Sequence, residues 1–598
     1  MSEPVLSPDR SLVDLLRHQA LTRGESLAFA FLEDGRDEVD RIGFAGLDAE
    51  ARAIAGWLAQ RHAPGERVLL LFPAGIDFVR AFFGCLYAGL IAIPAPAPEA
   101  SRRKRTLPRL QAIARDAEVT LVMSTGETLA LVRETMALLP ALAGVRAVDV
   151  RDAPAGAAAD WRPPAVASGD VAYLQYTSGS TNDPKGVMLS HGNVLHHCSD
   201  LRAACGYGPD SVSVTWLPNY HDYGLIEGII VPIQNGTPCH IMSPFAFLKR
   251  PLAWLRALSS LRATHGQGPN FAFDQCVRRV RPEQRAELDL SRLVALGNGA
   301  EPVNPEVVEA FIAAFAPCGL RPEAVCPAYG LAEATLMMSC RRPSLPPRFE
   351  SFDARALGER RAVASEAPDA RRITSCGAAL GAIDIAIVDP DTRRRCPPGG
   401  IGEIWIADAC VALGYWKRPE DSRKAFAARI AGDDAGPYLR TGDLGFLHEG
   451  ELFVSGRIKD LIIVAGANHY PQDIEWTVER AHPAIRAGHV AATSFTAGGE
   501  ERLLIALELE RGAISLDSDR DALRAAVQRS VSEAHEVPVH GIVLLRRASL
   551  PKTASGKIQR HACEGFLRAP EEAVLAVWTF DAGWHARPTP AVLSVAEE

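Results

Sequence analysis

The chain has 598 residues, which is too long for a single hydrophobic core and predicts two or more domains. Hydrophobic residues make up 47% and charged residues 23%, the ordinary balance of a soluble globular protein. The formal net charge of −8 argues against a general nucleic-acid-binding protein, which would carry a basic face. The 12 cysteines include no C-x-x-C pair, so we expect reduced thiols rather than a disulfide framework or a zinc site.

No targeting or membrane segment is visible in the sequence. The start, Met1 to Arg10, has no basic region followed by an apolar core, so no signal peptide is predicted. The most apolar window, Ala81 to Pro96, is short for a membrane span, and Asp77 and Arg80 precede it. We therefore expect a cytoplasmic protein without stable membrane insertion.

Strands and helices alternate in the first part of the chain. Arg67 to Phe72 reads as a buried strand, Asp77 to Tyr87 as a helix and Leu90 to Pro94 as the next strand. This β-α-β order predicts a parallel sheet. Further on, Ile383 to Asp389, Gly402 to Ile406 and Val411 to Trp416 predict strands of a smaller sheet.

The segment Tyr176 to Gly186 has the sequence Y-T-S-G-S-T-N-D-P-K-G. It follows an apolar run and precedes Val187 to Asn193, so the pattern predicts a strand, a loop and then a helix that Asn193 caps. Glycines let the backbone approach an anion, N–H and hydroxyl groups donate to its oxygens, and Lys185 adds positive charge. The segment is therefore a candidate phosphate loop, although it lacks the Walker spacing G-x-x-x-x-G-K-[ST].

The order T-S-G-S-T followed by P-K-G resembles the phosphate loop of the adenylate-forming superfamily, which includes acyl-CoA synthetases, nonribosomal adenylation domains, luciferases and fatty acyl-AMP ligases. The segment W-L-P-N-Y-H-D-Y-G-L, residues 216–225, is similar to that of fatty acyl-AMP ligases in particular. In this resemblance the loop residues that bind the nucleotide are Thr177, Ser178, Gly179, Ser180, Thr181 and Lys185.

The resemblance also implies an acyl pocket beside the nucleotide. It places Asp222 with the nucleotide-binding residues and His221 with the catalytic ones, at the junction of the two ligands. The residues expected to line the acyl pocket are Tyr220, Tyr223, Met242, Phe247, Asn270, Phe271 and Phe273. Plain core packing is the alternative for each apolar member, and Tyr223 stands where many members of the family have Met.

Later motifs complete the implied nucleotide site. Glu333, in A-Y-G-L-A-E-A, is expected to be catalytic through Mg²⁺, and a hard cation does prefer a carboxylate. Asp443, in T-G-D-L-G, is fit to accept two hydrogen bonds from ribose hydroxyls. The other nucleotide-binding residues implied are Gly299, Ala300, Glu301, Ala328, Tyr329, Gly330, Leu331 and Arg457.

The C-terminal motif L-P-K-T-A-S-G-K-I-Q-R resembles the catalytic-lysine loop of the superfamily and assigns that role to Lys557, with a hinge at Lys459. The expected fold class is α/β. A large N-terminal domain, residues 1–458, would contain stacked αβ subdomains plus a smaller sheet or barrel-like subdomain. A small mobile α+β domain, residues 459–570, would follow, and residues 571–598 would be a tail of weak periodicity for which we expect disorder.

The segment from Pro343 to Cys376 is unusually long for a simple connection, so it is either functional or poorly ordered. Fatty acyl-AMP ligases carry an insertion at this place that hinders the C-terminal domain from closing for CoA, whereas acyl-CoA synthetases are shorter here. An inert surface loop is the alternative.

The resemblance implies ATP-dependent activation of a medium- or long-chain fatty acid to an acyl-adenylate, with release of pyrophosphate. The acyl group would then pass to the phosphopantetheine thiol of an acyl carrier protein. A monomer or weak dimer is expected. Two alternatives stay open: a fatty acyl-CoA synthetase, and a non-catalytic scaffold that binds acyl nucleotides.

Overall fold

A computed structural model describes most of the chain: residues 11–99, 103–176, 184–433, 435–464, 467–497, 500–511, 520–553, 556–568 and 573–579. The phosphate-loop residues Thr177 to Thr181 lie outside these ranges. The mixed α/β architecture with a large N-terminal part confirms the predicted fold class.

A six-stranded sheet occupies the first third of the chain. All neighbouring strands are parallel except the last pair, which is antiparallel. Their residues are buried almost without interruption, as expected for a parallel sheet covered on both faces. The strand order is Arg146–Asp149, Leu121–Ser124, Arg67–Phe72, Ile91–Pro96, Val171–Tyr176 and Gly186–Ser190.

The segment that follows the phosphate loop differs from its prediction. Gly186–Ser190 is a strand that pairs back onto Val171–Tyr176, so the loop joins a β-hairpin rather than a strand and a helix. The helix begins only at His191. Its N-cap is Ser190, whose Oγ accepts from the Asn193 N–H at 3.0 Å, while Asn193 Oδ1 accepts from the Ser190 N–H in return. Asn193 is thus the third residue of a capping box, not the cap.

A nine-stranded sheet forms the second layer. Its middle strands are parallel and both ends are antiparallel. One apolar core joins both large sheets and the helices between them. The strand order is Ala378–Ala379, Met337–Cys340, Val325–Gly330, Ala295–Asn298, His265–Gly268, Ser213–Thr215, Cys239–Met242, Leu27–Glu33 and Asp37–Gly43.

Helices cover the faces of the two large sheets. Asp222–Leu225 continues through a π turn, Ile226–Ile230, into Val231–Asn235. The other α-helices of this part are Leu12–Arg23, Phe44–Ala59, Ile76–Tyr87, Arg103–Ala117, Gly126–Met136, His191–Cys205, Pro244–Lys249, Leu252–Ser260, Asn270–Arg279, Pro282–Arg285 and Pro305–Phe315.

A four-stranded antiparallel sheet follows, in the order Asp384–Val388, Gly402–Ala407, Leu439–His448 and Glu451–Arg457, with a helix at Pro419–Phe426. The strand predicted at Val411 to Trp416 is wrong. That segment bonds intermittently to the edge strand Gly186–Ser190, with a single bridge from Val187 to Tyr415, so no continuous ladder forms.

The long segment from Pro343 to Cys376 is structured. Phe349–Phe352 and Arg371–Thr374 form an antiparallel ribbon, with a short helix at Ala354–Gly358 between them. Its apolar side chains pack with Phe446 and Phe453 of the four-stranded sheet.

The C-terminal part has its own core and a mixed sheet, as an α+β domain requires. Strands Ile462–Val464 and Ala467–His469 form a hairpin. The sheet order is Ile485–Ala497, Glu500–Leu509, Val539–Leu545 and Val574–Thr579, with α-helices Pro471–Ala481, Arg520–His535 and Gly565–Arg568.

Val574–Thr579 belongs to the expected tail, residues 571–598, but it pairs antiparallel with Val539–Leu545. The expectation of disorder is therefore wrong for this strand, because the sheet offers it an edge to pair with. None of the described helices is long and apolar enough to cross a membrane.

Candidate active site

Several of the predicted site residues lie at one edge of the nine-stranded sheet. Strands His265–Gly268, Ala295–Asn298 and Val325–Gly330 run parallel, so the segments that follow them meet at their carboxyl ends. Those segments carry Asn270 and Glu301, while the last strand itself carries Tyr329. The motifs quoted from the sequence thus lie together although they are far apart along the chain.

Asp443 connects two other predicted nucleotide-binding residues. The Tyr329 hydroxyl donates to Asp443 Oδ2 at 2.8 Å, and Arg457 Nε donates to Oδ1 at 2.7 Å. Burial and the charge of Asp443 raise the pKa of Tyr329 well above its usual value, so the phenol stays protonated. Each carboxylate oxygen has two lone pairs, so Asp443 can still accept from ribose hydroxyls while these bonds orient it.

Glu333 is connected to Lys185 through Tyr415, a residue that the sequence did not predict to belong to the site. Its Oε1 accepts from the Tyr415 hydroxyl at 3.0 Å. Lys185 Nζ lies 4.8 Å from the centre of the Tyr415 ring and 2.8 Å from Asp421 Oδ2. Burial raises the pKa of Glu333, although the Tyr415 hydrogen bond opposes that change. Tyr415 therefore positions the predicted metal ligand and the lysine of the phosphate loop together.

His221 and Asp222 are at the start of the helix Asp222–Leu225, where their side chains contact each other. The Tyr223 N–H donates to Asp222 Oδ1 at 2.7 Å. Burial would raise the pKa of Asp222, but the charges of His221 and Lys557 hold it below its ordinary value.

Lys557 faces the N-terminal domain. Burial lowers its pKa, the charge of Asp222 raises it, Arg457 lowers it, and Glu301 raises it. The lysine thus lies within electrostatic reach of residues from three separate segments of the larger domain.

The loop that carries Lys557 is a tight turn. The Thr553 N–H donates to the Lys557 carbonyl at 2.7 Å, and the Lys557 N–H donates to Thr553 Oγ1 at 3.1 Å. Gly556 has φ of +90°, a conformation that favours glycine. A Cβ atom at Gly556 would lie 3.7 Å from the Phe271 ring, so the loop lies against a predicted acyl-pocket residue.

Close backbone packing surrounds the predicted adenine position. A Cβ atom at Gly330 would lie 1.7 Å from the Leu336 carbonyl oxygen, so only glycine fits there. Ala300 has φ of +69°, and Glu301 Oε1 accepts from the Phe271 N–H at 2.8 Å. Gly299 and Ala328 are neighbours, since a Cβ atom at Gly299 would lie 3.0 Å from the Ala328 carbonyl oxygen. Leu331, partly buried, follows Gly330 directly.

The predicted acyl-pocket residues fall into two groups. Trp216 stacks on Phe247 at 3.9 Å and meets the Phe271 ring edge-on at 6.1 Å, which puts both phenylalanines in one aromatic cluster next to the lysine loop. Phe273 instead packs on Phe311 at 4.4 Å, in the core.

For the other predicted acyl-pocket residues, one contact each shows where the residue lies. A Cβ atom at Gly35 would lie 2.7 Å from the Met242 methyl carbon, so Met242 points towards that surface turn. The Tyr220 carbonyl accepts from Gln175 at 2.8 Å, and Asn270 Oδ1 accepts from the Asn304 N–H at 3.3 Å.

The predicted hinge residue Lys459 is exposed in the turn Ile458–Asp460. Its neighbour Asp460 accepts from Arg560 Nη1 at 2.8 Å, and Arg560 also donates to both oxygens of Glu475. The Q-R end of the lysine motif thus fastens its loop to the residue after the hinge. No signal in a single sequence pairs these charges, because they are far apart along the chain.

The chain was compared with known proteins. Residues 16–416 match the family model for AMP-binding enzyme, and residues 459–566 match the model for the AMP domain of Disco-interacting protein 2-like proteins. The chain is 46% identical over 568 residues to the medium-chain-fatty-acid–[acyl-carrier-protein] ligase JamA of Moorena producens, with 94% of this chain and 95% of JamA covered.

It is 38% identical over 581 residues to the long-chain-fatty-acid–AMP ligase FadD26 of Mycobacterium marinum, with 93% of this chain and 97% of FadD26 covered. The crystal structure of a fatty acyl-adenylate ligase from L. pneumophila in complex with acyl adenylate and pyrophosphate is 38% identical, with a TM-score of 0.73 and coverage of 95% of this chain and 98% of that one. The chain therefore belongs to the family of AMP-binding enzymes, among the fatty acyl-AMP ligases.

Proposed function

We propose that this protein activates a medium- or long-chain fatty acid with ATP, forming an acyl-adenylate and pyrophosphate, and then transfers the acyl group to the phosphopantetheine thiol of an acyl carrier protein. The observation that carries the proposal is the position of the Lys557 loop, which lies against Phe271 of the larger part of the chain. Burial lowers the pKa of Lys557, and the charges of Asp222, Arg457 and Glu301 act on it as well. The names of the relatives support the same reaction.

Adenylation brings a carboxylate and a triphosphate together, so positive charge is needed near the reacting phosphate. Lys557 supplies one charge from the C-terminal domain, and Lys185, beside Tyr415, supplies another next to the phosphate loop. Such fixed charges stabilise the transition state because they need no reorganisation as negative charge develops. No general base is needed, since the fatty acid is already ionised near neutral pH.

Glu333 fits the role of a magnesium ligand. Mg²⁺ takes carboxylate oxygens and usually keeps several waters and phosphate oxygens, so one protein carboxylate held by Tyr415 suits it. When bound, the ion would supply positive charge against the phosphate oxygens of ATP. Asp443, held by Tyr329 and Arg457, would accept from the ribose hydroxyls.

Contacts of the inserted segment, residues 343–376, support a carrier protein rather than CoA as the acceptor. Arg371 Nε lies 2.9 Å from Asp473 Oδ2, and its guanidinium lies 4.7 Å from the centre of the Tyr470 ring. Asn468 Nδ2 donates to the Gly358 carbonyl at 2.9 Å. These bonds hold the C-terminal domain in the orientation that presents Lys557. Leaving that orientation costs free energy, which the larger contact surface of a carrier protein offsets better than a small CoA molecule does.

Mass spectrometry of reaction products would test the proposal. The enzyme is incubated with ATP, Mg²⁺ and a fatty-acid panel, alone, with CoA, or with a holo acyl carrier protein. We expect acyl-AMP alone, little acyl-CoA, and acylated carrier protein in the third mixture. Rapid stoichiometric acyl-CoA would instead identify a CoA synthetase. Absence of fatty-acid-dependent ATP–pyrophosphate exchange would favour a non-catalytic scaffold.

A further inference from the structure

The Tyr223 side chain extends from the helix Asp222–Leu225 to the nine-stranded sheet. The residue follows Asp222 directly, and its side chain is buried, at 4% exposure. A Cβ atom at Gly297 would lie 2.4 Å from the Tyr223 hydroxyl, so the ring ends against the strand Ala295–Asn298. Gly297 lies two residues before Gly299 at the predicted adenine edge, a depth of about 7 Å along a strand.

Little space remains beyond the Tyr223 hydroxyl. The cavity there has a volume of about 10 Å³ and is lined by Glu227, Gly266, Gly297, Met337 and Cys340, among others. Ligand pockets usually have volumes of about 300–1,000 Å³, so this cavity cannot hold a chain of methylenes. An acyl chain that followed this helix from Asp222 towards the strand Ala295–Asn298 would therefore end at the Tyr223 ring.

Two buried polar groups make this wall polar. The Tyr223 hydroxyl and Glu227 Oε1 are both buried without a hydrogen-bond partner among the described residues. Glu227 lies in the π turn Ile226–Ile230 and is 6% exposed. The helix lies close to the sheet here, since a Cβ atom at Gly228 would meet Thr215 at 2.9 Å. An alkyl end gains nothing from approaching such groups, because they stay desolvated and unpaired.

We propose that Tyr223, backed by Glu227, is the end wall of the acyl pocket and restricts the enzyme to medium-length acyl chains. This inference rests on the proposed function and narrows its substrate class. A pocket wall discriminates against one extra methylene by about 10–200-fold, so the cut-off in chain length is expected to be sharp.

The test compares wild type with Tyr223→Met and Tyr223→Phe. Fatty-acid-dependent ATP–pyrophosphate exchange is measured with hexanoate, octanoate, decanoate, dodecanoate and tetradecanoate. Tyr223→Met replaces the ring with a flexible chain of slightly smaller volume, so the ratio of kcat/KM for decanoate relative to octanoate should rise by about tenfold. Tyr223→Phe keeps the ring and removes one of the two polar groups, so the chain-length ratio should change far less than in Tyr223→Met.

A binding measurement tests the end-wall role of Tyr223 independently of the proposed adenylation activity. Isothermal titration calorimetry with octanoyl and tetradecanoyl sulfamoyl-adenosine gives affinities without turnover, and thermal melts verify that each variant is folded. Wild type should bind the octanoyl compound at least tenfold more tightly, and Tyr223→Met should reduce that preference.

Wild-type preference for tetradecanoate, or an unchanged preference in a folded Tyr223→Met variant, would overturn the end-wall inference while leaving adenylation intact. Absence of exchange with every acid would contradict the proposed function, and the binding ratio would still decide the role of Tyr223.

Discussion

Lys557 belongs to the C-terminal domain, but the groups that determine its pKa belong to the larger one. Replacing it with Met removes a fixed positive charge from the reacting phosphate. We expect Lys557→Met to lower ATP–pyrophosphate exchange by about 10²–10³-fold, comparable to the loss of one preorganised electrostatic donor.

The second half-reaction provides the control for this variant. Lys557 stabilises negative charge that develops on the phosphate during adenylation. The rate of thioester formation from supplied acyl-AMP should therefore stay within a few-fold of wild type. Equal losses in both half-reactions would mean that the substitution damages the site as a whole and that Lys557 has no separate role in adenylation.

Glu227 should make stability depend on pH. Burial raises its pKa to about 8, from an ordinary value of 4.5. The folded state therefore holds a proton that the unfolded state loses between about pH 4.5 and pH 8, so this group lowers stability as pH rises through that window. Each pKa unit corresponds to about 1.4 kcal/mol, so the effect amounts to several kcal/mol.

The side chain of Glu227→Gln cannot ionise. We therefore expect the stability of this variant relative to wild type to increase as the pH rises from 5 to 9. Thermal melts at both pH values measure the difference, and groups common to both proteins cancel. Glu366→Gln removes an exposed carboxylate and should show no such change. A Glu227→Gln advantage that stays constant from pH 5 to pH 9 would show that Glu227 is already ionised in the folded protein.

We expect Arg371, in the inserted ribbon formed by Phe349–Phe352 and Arg371–Thr374, to influence whether CoA or a carrier protein accepts the acyl group. Burial raises the pKa of Asp473, its partner, to about 6, so the carboxylate is ionised and paired at neutral pH. Arg371→Ala leaves the buried Asp473 carboxylate without its partner, so it should weaken the contact by about 3–5 kcal/mol. We therefore expect acyl-CoA formation to rise several-fold.

Arg355→Ala is the matched control, because Arg355 lies in the same insertion with its side chain 90% exposed. It should leave acyl-CoA formation unchanged. Deleting residues 343–372 should have a larger effect than Arg371→Ala. If the deletion variant is folded and its CoA turnover is unchanged, the insertion does not control access of CoA.

Regular elements and motif residues could be predicted because their signals are local. Val68 to Phe72 is an unbroken apolar run, and the strand Arg67–Phe72 has the predicted bounds. Asp443 and Lys557 stand within motifs, and both lie at the site. Tyr415 gave no signal, since its contacts with Glu333 and Lys185 are made only when distant segments meet.

The elements that were missed depend on a tertiary neighbour. Gly186–Ser190 is a strand because Val171–Tyr176 lies beside it, and Val574–Thr579 is one because Val539–Leu545 offers a free edge. Short apolar runs of this kind fit a strand, a helix or a coil equally well in the sequence alone.

The turn at Lys459, the predicted hinge, and contacts such as Asn468 with Gly358 connect the C-terminal part of the chain to the larger part. Adenylation needs Lys557 at the site, whereas thioester formation needs a thiol to reach the same acyl carbon. Both groups cannot occupy that side at once, so the C-terminal domain must move between the two steps. Fixing the domains in the present orientation should therefore separate the half-reactions.

A double variant, Gly358→Cys with Asn468→Cys, allows this test. A Cβ atom at residue 358 would lie 3.6 Å from the Asn468 carbonyl oxygen, within reach of a short bis-maleimide. Native cysteines are buried except Cys396, which a Cys396→Ser background removes. The crosslinked enzyme should keep ATP–pyrophosphate exchange and lose acyl transfer to the carrier protein by about tenfold or more. The same variant treated with N-ethylmaleimide should keep both, and full transfer by the crosslinked enzyme would mean that no domain movement is needed.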